Sequence, residues 1–261
     1  MSLFRFCPAG ACALLGFFLT FLNLQTAHAV PALQLYIEGA TYDVSDETWR
    51  ITAPAGDPLR LWAVGNVAGP GGKGSLLDVR AAFSYESSLG GVTLDLSPTT
   101  TGSFGGFADP SLSASPTLLA TYTDGSAPVM ANGHSLASHG IYGVGTTWQE
   151  WALGDLTLTD SPIADFANAF PAAPVDATGQ INAYEITVTG LGTGDWLHVD
   201  LYGSYLANAG KVKTTFAPFS HDAAFAQGGA VQLPVPGAAL LFVTGVLLFA
   251  GLHLRGWRRT A

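Results

Sequence analysis

An uncharged apolar segment near the C-terminus most constrains what this chain can form. The eighteen residues 237–254 contain no charged side chain, and Arg255, Arg258 and Arg259 follow closely. Eighteen helical residues span about 27 Å, close to the thickness of the hydrocarbon core of a bilayer. Arginines are retained on the cytoplasmic side of a membrane, so the pattern predicts a transmembrane helix over 237–254 and a basic cytoplasmic tail over 255–261. A buried core helix is the alternative, but such a helix rarely stands at the end of a chain before an arginine cluster.

The N-terminus has the pattern of a secretory signal peptide. Arg5 precedes an apolar run that ends at Leu24, and Ala27 and Ala29 are the small residues expected before a signal-peptidase cleavage site. The sequence therefore predicts a signal peptide over 1–29, signal peptidase as a processing partner, and a mature chain that begins at Val30. Together with the C-terminal helix, this predicts export and insertion in the inner membrane.

The part between the two apolar ends is acidic and lacks cysteine. Both cysteines, Cys7 and Cys12, fall in the predicted signal peptide, so we expect no disulfide and no thiolate chemistry in the exported part. Residues 30–233 contain nineteen acidic and six basic side chains, a net charge of −13. This balance disfavours nucleic acid as a partner, because affinity for nucleic acid depends on neutralising phosphates with Lys and Arg.

Alternating apolar and polar residues predict β-strands along the acidic part. Gly, Pro, Ser and Asp, the residues typical of turns, separate them. The predicted strands cover residues 33–38, 59–64, 77–84, 92–96, 118–123, 146–153, 156–159, 184–189 and 196–205. Many short strands favour an all-β fold, a jelly-roll-like or Ig-like β-sandwich over 30–223, followed by a spacer and Pro-x-Pro segment over 224–236. One short helix is predicted after Ser161, with Pro162 in its first turn and Pro171 beyond its end.

A proline motif precedes the apolar C-terminal segment. Pro234, Val235 and Pro236 stand just before residue 237. The order of motif, apolar helix and basic cluster resembles the PEP-CTERM sorting signals of Gram-negative bacteria, in a form close to the VPLPA-like variant. The resemblance implies recognition by an exosortase, cleavage near the motif, and delivery to the cell surface or extracellular matrix. Val235 replaces the usual Glu, and two residues follow Arg259. Without processing, the chain would remain a single-pass membrane protein.

Three stretches of the acidic part resemble a known family. Residues 31–43 follow the signal peptide directly, 198–202 lie on a predicted late strand, and 216–223 end the predicted domain. Together they resemble the choice-of-anchor N family, whose exported domains carry different C-terminal anchoring signals. The resemblance implies surface anchoring, and it supplies no activity and no catalytic residue.

One predicted strand places aromatic and titratable side chains on the same face. The period of a strand puts four residues on one side: Trp196, His198, Asp200 and Tyr202. Such a face can bind a sugar, since aromatic rings stack on sugar rings and hydroxyl groups need polar partners. The alternative, which we favour, is the solvated or loop-covered side of a sheet.

The histidines suggest metal ligands but do not by themselves define a site. His134 and His139 are five residues apart in a Gly/Ser-rich loop, and His221 and Asp222 are adjacent. A transition-metal site needs three or four converging donors, which this spacing does not ensure, so the sequence predicts no metal site.

Calcium is left open as an unspecific alternative. Asp43 with Asp46, or Asp195 with Asp200, can contribute carboxylate oxygens, but no EF-hand loop is present.

No motif for enzymatic chemistry stands out. The sequence has neither a Gly-x-Ser-x-Gly elbow nor a His-Glu-x-x-His motif, and neighbours in Ser220-His221-Asp222 would point to opposite faces of a strand. We therefore expect an exported, surface-anchored or matrix-associated structural or adhesion protein that is not an enzyme. The alternatives are a carbohydrate-binding module for exopolysaccharide and, with less support, a secreted hydrolase.

Overall fold

Thirteen strands and one short α-helix form the described part of the chain. The computed structural model describes residues 30–54, 56–68, 71–99, 115–137, 139–169 and 177–227. In chain order the elements are β1 (Leu33–Ile37), β2 (Thr41–Asp43), β3 (Thr48–Ala53), β4 (Leu59–Ala68), β5 (Leu76–Glu86), β6 (Thr93–Thr99), β7 (Thr117–Tyr122), β8 (Thr146–Leu156), β9 (Ser161–Ile163), α1 (Phe166–Ala169), β10 (Ala177–Thr189), β11 (Trp196–Leu206), β12 (Val212–Phe216) and β13 (Asp222–Gln227).

The strands form two sheets that pack as a β-sandwich, as the sequence predicts. The smaller sheet has the order β1-β4-β10-β6, with β9 also paired to β10. The larger sheet has the order β2-β3-β13-β11-β5-β8-β7, with β12 also paired to β11. All described strand pairs are antiparallel except β3 with β13, which is parallel.

The main core contains the inward faces of both sheets. From β11 it receives Leu197, Val199 and Leu201, each at most 2% exposed. Trp62 and Tyr184, both fully buried, contribute large side chains from the smaller sheet. Burial of such apolar area is the dominant favourable contribution to folding.

A second apolar cluster covers the outer face of the larger sheet. The segment 123–145, which connects β7 to β8, lies over this face and contributes Leu136, Ile141 and Tyr142. These side chains pack against Trp196 and Tyr202 of β11. As a result, β11 is buried on both faces, and its polar residues lie beneath the connecting segment.

The structure differs from the prediction in the helix after Ser161 and in the strand over 156–159. Ser161–Ile163 forms β9 instead of a capped first helical turn, and α1 covers Phe166–Ala169. Pro162 is tolerated in β9 because β9 pairs only with β10 in the described sheet, and an edge strand can lack one donor. Residues 157–159, predicted as part of a strand, are irregular, and the strand before them ends at Leu156.

The predicted domain boundary at residue 223 is too early. Residues 224–227, predicted as spacer, belong to β13, which lies between β3 and β11 in the larger sheet. The alanines of β13 give a weak strand signal, and pairing on both sides stabilises the strand instead.

The two apolar ends fall outside the described residues. This applies to the predicted signal peptide with Ala27 and Ala29, to the motif Pro234, Val235 and Pro236, and to the helix over 237–254 with its arginines. Across the described ranges, no helix combines the length and apolar character that a membrane crossing requires.

Candidate metal centre

Two histidines and two aspartates converge beneath the segment that connects β7 to β8. We call them the His–Asp cluster, and they are His139, His198, Asp200 and Asp222. One potential ligand atom from each residue lies within 4.8 Å of the corresponding atoms of the other three. His198 and Asp200 come from the predicted aromatic and polar face of one strand. His139 and Asp222 come from the two residue pairs considered above as metal ligands.

Strand geometry positions three of the four residues. His198 and Asp200 are two residues apart on β11, so their side chains point to the same face of the larger sheet. Asp222 is the first residue of β13, which pairs with β11 in a register that sets Val199 opposite Ala223. Continuing this antiparallel register by one residue brings Asp222 beside Asp200.

His139 comes from the connecting segment, which covers the outer face of the larger sheet, and it is the fourth residue of the cluster. Its ring stacks on Phe219, with a centroid separation of 4.1 Å and an interplanar angle of 21°. Its Nδ1 lies 3.4 Å from the Ala137 carbonyl oxygen. The connecting segment is itself anchored by Trp148, whose indole N–H donates to the Ser126 carbonyl at 2.7 Å.

The four side chains are enclosed. Their exposed fractions are 9% for His139, 2% for His198, and 3% for both Asp200 and Asp222. Tyr142, from the same segment as His139, donates a hydrogen bond of 2.6 Å to Asp200 Oδ2. Two buried polar atoms of the cluster, His198 Nδ1 and Asp222 Oδ1, have no hydrogen-bond partner among the described residues.

The distances between the ligand atoms are short. His139 Nε2 and His198 Nε2 are 3.0 Å apart. Asp200 Oδ1 lies 3.4 Å from His198 Nε2 and 3.5 Å from His139 Nε2. Asp222 Oδ2 lies 3.5 Å and 3.8 Å from the same two nitrogens. The four atoms therefore surround one point in space.

Burial and the mutual charges displace the pKa values of the cluster. Burial raises the pKa of Asp222 to about 7; the charge of His198 opposes this shift and that of Asp200 adds to it. Burial also opposes the charged forms of Asp200 and His198, but their attraction leaves the pKa of Asp200 lowered and that of His198 raised. Burial lowers the pKa of His139. Two buried carboxylates in one site thus require compensating positive charge.

The two aromatic members of the predicted face do not join the cluster. Tyr202 donates a hydrogen bond of 2.6 Å to Glu150, and Trp196 donates one of 3.1 Å to Glu86. All four residues of this face do point the same way, as predicted, but each is at most 5% exposed. The connecting segment therefore occupies the space that a stacked sugar ring would need.

The two other histidines that the structure describes lie outside the cluster. His134 is exposed in the connecting segment. His221 is buried and places its Nε2 2.8 Å from Asp165 Oδ1. Of the two residue pairs considered as metal ligands, His134 with His139 and His221 with Asp222, each therefore contributes one residue to the cluster.

The carboxylates suggested for calcium have other partners. Asp43 and Asp46 both form ion pairs with Arg50. Asp195 accepts a hydrogen bond of 2.6 Å from the Gly192 backbone N–H, away from Asp200 in the cluster.

Comparison with known proteins finds no family and only distant structural neighbours. No protein-family profile matches the chain, and no match was found among curated proteins. Among solved structures, AvmM, described as catalysing macrocyclization in alchivemycin A biosynthesis, shares 9% identity with a TM-score of 0.30, over 78% of this chain and 93% of AvmM. The C-terminal domain of the Streptococcus agalactiae AgI/II polypeptide BspA shares 10% identity with a TM-score of 0.24, over 72% of this chain and 49% of that domain. The Danio rerio Fcho1 Mu homology domain shares 11% identity with a TM-score of 0.24, over 77% of this chain and 51% of that domain.

Proposed function

We propose that this protein is an exported structural or adhesion protein of the bacterial surface or extracellular matrix, and not an enzyme. Its sandwich, of jelly-roll-like or Ig-like type, would stand between a cleaved signal peptide and a C-terminal sorting signal. In this proposal the helix over 237–254 first holds the chain in the inner membrane. An exosortase then cleaves near Pro234, Val235 and Pro236 and releases the acidic domain to the surface.

The enclosure of the His–Asp cluster is the observation that best supports a structural role. These are the side chains in the described fold with the clearest capacity for acid–base chemistry, and at most 9% of any of them is exposed. A general acid or base must come within hydrogen-bond distance of its substrate. A cluster sealed by the connecting segment is suited to holding the fold together.

The same enclosure disfavours the carbohydrate alternative on this face. Trp196 is 5% exposed and Tyr202 is 2% exposed, so neither presents a ring to a polysaccharide. Adhesion through another surface of the sandwich agrees with the acidic net charge, which keeps the domain soluble outside the cell.

The location is tested by fractionating the natural host and analysing the mature protein by mass spectrometry. We expect the mature N-terminus at Val30, the protein in the surface or matrix fraction, and no peptide from 237–254. The paired change Pro234→Ala and Pro236→Ala should retain the chain in the inner membrane, because it removes the motif. Gln232→Ala, a change just before the motif, should be processed normally. An intact chain in the cytosol would contradict the proposal.

A further inference from the structure

We propose that the His–Asp cluster is a structural zinc site. In this assignment His139, His198, Asp200 and Asp222 each supply one ligand, and the metal fixes the connecting segment 123–145 to the larger sheet. The inference goes beyond the surface role proposed above and does not depend on it, because it concerns the described sandwich alone.

The spacing of the ligand atoms fits a tetrahedral metal ion. Zinc bonds to imidazole nitrogen and carboxylate oxygen are about 2.0–2.2 Å long, so neighbouring ligand atoms around one tetrahedral ion are about 3.4 Å apart. The five nitrogen–nitrogen and nitrogen–oxygen distances in the cluster run from 3.0 to 3.8 Å and lie on both sides of that value. The two carboxylate oxygens lie within 4.8 Å of each other, so an ion fits between the four atoms once the carboxylates turn toward it.

The charges of the cluster also call for a cation. The contact of His139 Nδ1 with the Ala137 carbonyl favours the proton on Nδ1, which leaves a lone pair on Nε2. This lone pair faces His198 Nε2 at 3.0 Å, so either a proton or a metal must lie between the two nitrogens. A proton on His198 would also attract the two carboxylates, but it would add one positive charge against two buried carboxylates. A divalent ion binds both nitrogens and also neutralises the two buried carboxylates.

The types of donor favour zinc over the common alternatives. Calcium takes six to eight oxygen ligands and magnesium demands octahedral oxygen coordination, whereas half the donors here are imidazole nitrogens. A catalytic iron or zinc site keeps an open position for water or substrate. Here all four donors are protein side chains and all are enclosed. Four protein ligands in a closed site are typical of structural zinc.

The site has outer partners of the kind that orient metal ligands. Tyr142 donates to the Asp200 oxygen that faces away from the two histidines, and so leaves Oδ1 directed at the ion. Phe219 holds the ring of His139 by stacking. Such contacts fix the orientation of ligands and commonly affect metal affinity.

The direct test is the metal content of the purified full chain. We expect about one zinc ion per chain after dialysis against trace ZnCl2. The zinc content is measured by inductively coupled plasma mass spectrometry. His139→Ala removes the ligand from the connecting segment and should weaken zinc binding roughly tenfold or more. His134→Ala is the matched control, because His134 lies in the same segment and is exposed. Equal zinc binding by the two variants, or a wild-type chain without zinc, would overturn the assignment.

A second measurement needs no variant. Cobalt(II) in place of zinc should give the intense visible absorption of a tetrahedral ion, whereas octahedral cobalt bound by exposed carboxylates absorbs weakly. Zinc at about 100 times its dissociation constant should raise the thermal midpoint by about 5–10 °C relative to the chelator-treated chain. A weak octahedral cobalt spectrum, or a midpoint that zinc leaves unchanged, would show that the cluster is not a structural zinc site.

Discussion

At the scale of single residues, the larger sheet depends on one buried carboxylate. Glu150 is 5% exposed and accepts hydrogen bonds from Arg80 at 2.9 Å, Tyr122 at 3.2 Å and Tyr202 at 2.6 Å. These donors come from three other strands, β5, β7 and β11, while Glu150 lies on β8. Glu150 therefore links four strands of one sheet on the face that the connecting segment covers.

Glu150→Gln should destabilise the fold by about 2–4 kcal/mol. The change keeps the shape of the side chain but removes the negative charge that compensates Arg80. It also replaces one acceptor oxygen by an NH2 group, which cannot accept a hydrogen bond from Tyr122 or Tyr202. Urea unfolding at neutral pH would measure the loss. Asp57→Asn, an exposed acid-to-amide change, should shift the unfolding free energy by less than about 0.5 kcal/mol. An equal effect of the two changes would contradict this role for Glu150.

The residues of the cluster show how far local patterns can predict a site. The shared face of His198 and Asp200 follows directly from the period of a strand, and the sequence predicts it correctly. The approach of His139 and Asp222 depends on the path of the connecting segment and on the β11–β13 pairing. Neither is encoded in residues near His198. The sequence therefore contains two donors at recognisable spacing, and only the tertiary structure brings in the other two.

At the scale of elements, the junction of β4 and β10 has no room for a side chain. Gly179 lies at an irregularity in this ladder, between Thr178 and Gln180. A Cβ atom at Gly179 would stand 1.9 Å from the backbone oxygen of Gly65 and 2.9 Å from the side chain of Ile163. The close pairing of β4 with β10 thus depends on the absence of a side chain at residue 179.

Gly179→Ala should destabilise the protein by about 1–3 kcal/mol, because the β4 backbone must move to admit the methyl group. Gly91→Ala is the matched control, since a Cβ atom there meets nothing within 4 Å. Thermal unfolding of the two variants gives the comparison. A Gly179→Ala protein as stable as Gly91→Ala would show that the ladder adjusts without cost.

Among the elements, the strands with recurring large apolar residues are the ones that sequence predicts well. β1, β4, β5, β6, β7, β8, β10 and β11 all overlap predicted strands, although the prediction covers only the second half of β10. Prediction fails for β12 and β13, which have few large apolar residues and are stabilised by neighbours distant in sequence. β3 is not among the predicted strands, although Trp49, Ile51 and Ala53 alternate within it.

At the scale of the whole molecule, buried tyrosines should make the fold sensitive to alkali. Burial is the main cause that raises the pKa of Tyr36 and of Tyr42 to about 12 from the ordinary value of 10.0. The folded state therefore keeps these phenol protons to higher pH than the unfolded chain does. Their contribution to stability is complete below pH 10 and declines as pH rises toward 12.

Urea unfolding midpoints measured from pH 9 to about pH 12 should therefore fall steeply above pH 10. Tyr36→Phe removes one of these titrating groups and should give a shallower decline, whatever its effect at neutral pH. Phenolate absorbance recorded in the same samples separates titration in the folded state from titration after unfolding. A variant that declines as steeply as the wild type would rule out a contribution from Tyr36.

The position of β13 determines when the molecule can be completed. This strand covers Asp222–Gln227 and is the element that joins β3 to β11, so the hairpin of β2 and β3 meets the rest of its sheet only through it. On the ribosome, residues 41–53 emerge early, and about 170 further residues must be synthesised before their neighbour exists. The pairing of β3 with β13 therefore cannot form before residue 222 has been synthesised, and pairings between segments so distant in sequence are expected to form slowly.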